Sequence, residues 1–115
     1  MIDLEKMSKE HEELFPKADL ASQVIKLEEE ISEYKEATEL YQEVKELADC
    51  FIVCIGIYRF APVVAKQIIQ GLIDSSDINL ESVEKEVERK WQINLKRTWE
   101  WNGETYHHVG TDGNE

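Results

Sequence analysis

Basic side chains are scarce in this chain. Lys and Arg together number 13 against 25 Asp and Glu, giving a formal net charge of −12. A nucleic-acid duplex is held by Lys and Arg that displace its counterions, so a surface this acidic excludes nucleic acid as a partner. Turn formers are equally few, with five Gly and two Pro. No Asn-Gly hairpin signal sits between alternating apolar runs until the tail, so the body reads as helical. Cysteine is limited to Cys50 and Cys54, inside an apolar run. Two thiols make no disulfide framework, and no nearby His or Cys completes a zinc set. They read as small buried side chains in a reducing compartment. The longest apolar run, CFIVCIGIY at 50–58, is too short to span a bilayer. The N-terminus is acidic from residue 3 and shows no signal-peptide pattern. The expectation is a soluble cytoplasmic protein with no membrane contact.

What remains is a helical composition with a modest core. The chain has 115 residues, 42% hydrophobic and 33% charged, which suits one globular domain over 1–115. Residues 3–14, in an N-terminal arm 1–16, read as a first helix or arm closed by FPKAD, because Pro16 disfavours helix at Phe15. Asp19 is suited to cap the next helix. There Leu20, Val24, Leu27, Ile31 and Tyr34 recur at spacings of 4, 3, 4 and 3, a stripe that packs on another helix. A third helix, about 40–59, is apolar on every side after Asp49 and is therefore buried all round. Pro62 bends or ends it. VVAKQIIQGLI forms a fourth helix, DSSDIN a loop, and 80–97 a fifth. The expected fold is an all-α bundle of four to five helices, its core at about 19–97. An irregular aromatic tail, 98–115, follows. Within it Asn102-Gly103 suggests a turn or a short hairpin. One chain offers little to cover both sides of the third helix and the apolar fourth. A homo-oligomer is expected, each site completed by a neighbour's tail or arm.

The acidic residues are not evenly spread. Residues 1–49 carry fifteen Asp and Glu against six Lys, a net of −9. In KLEEEISEYKEA, Glu30 and Glu33 lie three residues apart, and ELAD places Glu46 and Asp49 at the same spacing. Residues at i, i+3 share a helix face, and their like charges repel. On two antiparallel helices these pairs can converge as four carboxylates. Oxygen-rich sites of this kind suit Mg²⁺ or Mn²⁺. A di-iron site wants Glu-x-x-His pairs, and neither motif ends in His. Glu28, Glu36, Glu39 and Glu43 read as a solvated face, and for Glu30 and Glu33 alone that account would suffice. Asp49 shifts the balance, because its face continues through apolar Val53, Gly56 and Ile57. A carboxylate entering a covered face needs a partner. A metal is the simplest one, with Lys45 or Arg59 as organic counterions instead.

A cationic island stands against this acidity. Between Arg89 and Trp99 lie Arg89, Lys90, Lys96 and Arg97 with no acidic residue among them. If the segment is helical, Lys90, Asn94 and Arg97 share one face. Lys90 and Arg97 there are suited to phosphates and Asn94 to phosphate, sugar or metal-bound water. Arg89 and Lys96 read as ordinary surface residues. Gln23 and Lys26 lie one and two turns before Glu30. Trp99, Trp101 or Tyr106 can stack on a base, although Trp101 suits a subunit interface equally well. His107 and His108 read as incidental.

KLEEEISEY followed by ELADCFIVC resembles the EExxE…ExxD pattern of MazG-like nucleoside triphosphate pyrophosphohydrolases. FPKADLASQVIKLEEE and VERKWQINLKRTWEWNGETYHH resemble the short phage- and prophage-type members, over about residues 13–109. The resemblance implies an all-α, Mg²⁺-dependent enzyme that converts nucleoside triphosphates, deoxynucleotides above all, to monophosphate and pyrophosphate. It implies Glu30, Glu33, Glu46 and Asp49 as metal ligands, and Glu29 with Glu30 in the handling of water. Gln23 and Lys26 match family positions near the substrate. Ser32 stands where the family often has Gly. Relatives are dimers or tetramers, and a tetramer is expected. Two other readings are a non-enzymatic helical bundle and a phosphoribosyl-ATP pyrophosphohydrolase, which would not need the NxxRxW segment or the aromatic tail.

Overall fold

A computed structural model describes residues 2–109. Five helices are followed by a two-stranded hairpin, in the order α1 (Leu4–Leu14), α2 (Leu20–Glu36), α3 (Leu40–Phe60), α4 (Pro62–Asp74), α5 (Leu80–Lys96), β1 (Thr98–Trp101) and β2 (Tyr106–Val109). The fold is the all-α bundle expected, with the aromatic residues at its C-terminal end. Residues 110–115 of the expected tail lie outside the described residues.

Local chemistry sets the boundaries. Asp3 caps α1 by accepting from the Lys6 amide at 3.1 Å. Asp19 caps α2 in a reciprocal box with Ser22, each side chain bonding the other's amide, at 2.7 and 3.0 Å. Such a cap contributes about 1 kcal/mol. As expected, α3 ends just ahead of Pro62, at Phe60. Pro62 itself takes the first position of α4, where the missing N–H costs no hydrogen bond. The Asn79 side chain caps α5.

The apolar α3 is the axis of the bundle, packed against α1, α2, α4 and α5. Leu47, Phe51 and Ile55 join Met7 of α1 and Val83, Val87 and Trp91 of α5 on one side. Cys50, Cys54 and Ile57 join Leu27 of α2 and Ala65 of α4 on the other. Both cysteines are fully buried, free thiols. Burial pushes each up to about 12, so neither ionises near neutral pH.

Of the two options for the N-terminal segment, helix or arm, the structure has the helix, with Met7 in the core. Two expectations change here. One chain does cover both sides of α3, because α1 and α5 close the side that α2 and α4 leave open. The α2 stripe is only half used. Leu27 is buried, but Leu20 and Val24 are 41% and 44% exposed. The first turns of α2 instead turn Ser22 and Gln23 inward, for a reason found at Gly56 below.

The hairpin pairs Thr98 with Val109 and Trp101 with Tyr106. Its turn is the Asn102-Gly103 site. Asn102 Oδ1 accepts from the amides of Glu104 and Thr105, both at 2.9 Å, and Gly103 adopts φ +98°. A side chain there would be strained. Among the described residues no helix is long and apolar enough to cross a membrane.

Candidate active site

A cavity of about 480 Å³ opens between α1, α2, α3, α5 and the hairpin. A pocket of this size accommodates a small organic ligand. The residue types around it fall into three groups.

At one end are carboxylates. Glu30, Glu33 and Glu46 each bring an oxygen to within 4.8 Å of the other two. The antiparallel pairing of α2 and α3 produces this, joining the two i, i+3 pairs across a short loop. Glu30 Oε2 and Glu46 Oε2 are buried without a hydrogen-bond partner. Burial, with Asp49 and Glu33 beside it, holds the Glu30 carboxyl far up, at about 8. Burial and the same neighbours also raise Glu46. A buried polar atom without a partner is costly, and here there are two, both oxygens.

Asp49 lines the cavity next to this cluster but is not one of the three that converge. Its Oδ1 accepts from Lys90 Nζ of α5 at 2.8 Å. The expected counterions are elsewhere. Lys45 lies over the Tyr41 ring, and Arg59 is bonded to α1. The partner that Asp49 needs is thus a lysine expected to hold phosphate.

Along α5, Lys90, Asn94 and Arg97 all face the cavity. Arg97 Nε is buried without a partner. Arg89 pairs with Glu86 through two bonds, at 3.0 and 2.7 Å, and Lys96 is exposed, as ordinary surface residues do.

The far end is aromatic. Phe15 stands at its centre, with its ring 5.0 Å from Trp99, 5.0 Å from Tyr106 and 4.7 Å from His11. The hairpin is tied down by side chains. Tyr106 Oη accepts from the Lys17 amide at 2.9 Å, and Trp99 Nε1 donates to the Asn94 carbonyl at 2.9 Å. Trp101 stacks on Tyr106 outside the cavity lining, whereas His107 and His108 line it.

All ten expected site residues other than Glu29 are therefore gathered here: Gln23, Lys26, Glu30, Asp49, Lys90, Asn94, Arg97 and Trp99 line the cavity, and Glu33 and Glu46 complete the carboxylate cluster through Glu30. Glu29 is exposed, 4.0 Å from Lys26, and does not reach the cavity. Three lining or supporting residues escaped the sequence reading: His11, Phe15 and Arg59 as a ligand of His11. His11 is buried in α1, between Phe15 and Trp91. Burial and the nearby Arg59 charge lower its pKa to about 3. A lone His in an acidic helix gives no sequence signal of this. The Gly56 position was the available clue, since a Cβ there would come within 2.7 Å of His11 Nε2 and overlap Gln23 Oε1. That glycine admits Gln23 to the interior and rotates Leu20 and Val24 outward.

No protein-family model, no curated protein and no solved structure matches the chain.

Proposed function

We propose that this protein is a cytoplasmic nucleoside triphosphate pyrophosphohydrolase, acting on deoxynucleotides with Mg²⁺, or Mn²⁺ in its place. One observation carries the reading. Three buried atoms at the site have no partner in the protein: Glu30 Oε2, Glu46 Oε2 and Arg97 Nε. The first two want a cation and the third an anion. A metal–triphosphate complex offers both at once.

The donor set fits a hard divalent ion, being all carboxylate oxygen: Glu30, Glu33 and Glu46, with Asp49 alongside. When bound, such an ion activates water and neutralises phosphate charge. The chain's own residues do the rest. Arg97 binds phosphate oxygens through its buried guanidinium, in a site where a charge-assisted bond is strong. Asn94, one turn away, orients the chain of phosphates. Lys90 reaches from Asp49 towards the incoming phosphate, and Asp49 adds its carboxylate to the cluster beside it. Glu30, rather than the exposed Glu29, takes the proton as water adds to the α-phosphorus and pyrophosphate departs. Gln23, Lys26, Trp99 and Tyr106 surround the nucleoside.

Pyrophosphate release from a panel of deoxynucleoside and ribonucleoside triphosphates with Mg²⁺ is the test. Release that is abolished by chelation supports the reading, and no release from any of them at high enzyme concentration overturns it. A homo-oligomer belongs to the same proposal. Val63 and Val64 of α4 are 67% and 47% exposed beside Phe60, and a second copy would cover them. Sedimentation at several concentrations checks this, a monomer throughout being the contrary result.

A further inference from the structure

The inner wall of the cavity contains a chain of hydrogen bonds whose polarity can be worked out atom by atom. Arg59 Nη1 lies 3.0 Å from His11 Nδ1. A guanidinium only donates, so Nδ1 accepts, and the single ring proton of neutral His11 must sit on Nε2. Arg59 is itself fixed, because the same nitrogen also donates to the Phe15 carbonyl at 3.0 Å. His11 Nε2 and the Gln23 amide oxygen both lie against Gly56, and a ring N–H there can be met only by that oxygen. That oxygen lies over Gly56, which has no side chain to displace it. The amide nitrogen of Gln23 is then the outward end. One of its hydrogens goes to Ser22 Oγ at 3.3 Å. The other is left for a group in the cavity that Gln23 lines. A free glutamine amide can present either its oxygen or its nitrogen. This one is held to the nitrogen by two residues behind it.

The cavity that Gln23 lines has an aromatic side formed by Phe15, Trp99 and Tyr106, which suits a planar heterocycle. We propose that the cavity selects its heterocycle by an oxo group on the ring edge, read by the Gln23 amide, with Arg59 and His11 as positioning residues that fix the polarity of that amide. An oxo edge accepts the hydrogen bond. An exocyclic amine at the same place sets donor against donor and leaves both buried and unpaired, a mismatch that sites built to hydrogen-bond reject strongly. The inference rests on the reading that this cavity receives a nucleoside, and it assigns the class of base.

Its test needs neither metal nor turnover. Uridine against cytidine, and inosine against adenosine, differ at the edge by oxo for amino and by the proton that the neighbouring ring nitrogen carries in the oxo member. Dissociation constants of the four nucleosides for the full chain are measured by ligand-observed NMR and tryptophan quenching. The oxo member of each pair should bind about tenfold more tightly. Gln23→Glu, which offers only acceptors, should reverse the preference in both pairs. His11→Leu and Arg59→Met, checked by circular dichroism to be folded, should bring the ratio to near one while both members still bind, an outcome that loss of structure would not give. Equal binding within the pairs, an unchanged preference in Gln23→Glu, or no binding of any nucleoside overturns the proposal. Oxo selectivity without pyrophosphate release would instead sink the hydrolase reading and leave the edge assignment standing.

Discussion

The two ends of the cavity are built on opposite principles. At the carboxylate end, Glu30 and Glu46 each keep a buried oxygen with no partner, and burial among like charges holds Glu30 at about 8. At the inner wall, Arg59 bonds His11, and Gln23 lies with its oxygen against Gly56 beside His11 and its nitrogen on Ser22, which leaves one amide hydrogen for the cavity. Folding alone satisfies most of the second arrangement and not the first. The difference teaches where the proposed cation would act. A wall that bonds itself positions, while a cluster with unpartnered oxygens is, on the proposed reading, the place for a cation, since perturbed carboxyls gather at functional sites.

The largest expected effect breaks the contrast at its incomplete end. Glu30→Gln should lower pyrophosphate release by about 10²–10³-fold, the range seen when one electrostatic stabiliser is removed from a site. The same variant should be more stable than the parent in the presence of a chelator, because the amide is neutral without having to bind a proton as the buried Glu30 carboxyl must. Unfolding in urea with and without Mg²⁺ checks both halves. A variant that loses activity and also loses metal-free stability would show that Glu30 holds the fold rather than a ligand.

Next comes the inner wall. Gly56→Ala should destabilise by about 1–3 kcal/mol, a typical cost of overpacking, even though alanine favours a helix interior by up to about 1 kcal/mol over glycine. The Cβ would displace Gln23 and press on His11, so the base-edge preference should fall together with the urea midpoint. A stabilised Gly56→Ala protein would mean that the inner wall yields easily and fixes nothing.

The ends should also respond to pH in opposite directions. Glu30 binds its proton more tightly in the folded chain, at about 8 against an ordinary 4.5. Its contribution is present below about 4.5 and is lost as pH rises towards 8. His11 binds its proton less tightly when folded, at about 3 against 6.5. Its contribution is present above 6.5 and is lost as pH falls towards 3. The chelated protein should therefore be most stable between these slopes, with Mg²⁺ flattening the alkaline side alone. Thermal unfolding across pH, with and without Mg²⁺, separates them. In His11→Leu only the acidic slope should shrink.

The extent to which these features were legible beforehand follows from the range over which each is determined. The helices, the Asp19 cap and the i, i+3 carboxylate pairs are set by neighbours within a turn or two, and all were readable. So was the facing of Glu33 by Glu46, because a short loop between two helices leaves them few other ways to pack. What escaped depends on contacts distant in sequence. Asp49 meets Lys90 across 41 positions, and Arg59 meets His11 across 48. The outward turn of Leu20 and Val24 has the same origin. Their hydrophobic period called for burial, but the space at Gly56 took Gln23 instead, since its amide found partners there. The bundle's closure around α3 was missed because the charged residues of α1, read as a helix or an arm, gave no sign that Met7 and His11 turn inward.

The smallest expected effect sharpens the contrast within a single helix. Arg89 and Arg97 sit two turns apart on α5 and its end. Arg89 is half exposed and paired with Glu86 in the next turn. An exposed pair of this type contributes about 0.2–1 kcal/mol. Arg89→Gln should therefore shift stability by no more than that and leave triphosphate affinity unchanged. Arg97 is oriented into the cavity with Nε buried and unpartnered, so Arg97→Gln should cost little stability yet weaken triphosphate binding at least tenfold, a charge-assisted bond of about 1.5–3 kcal/mol being lost. Calorimetric titration with a non-hydrolysable deoxynucleoside triphosphate and Mg²⁺ measures both. Equal losses in the two variants would mean that the chain's positive field as a whole attracts phosphate, and that the geometry of one buried guanidinium does not matter.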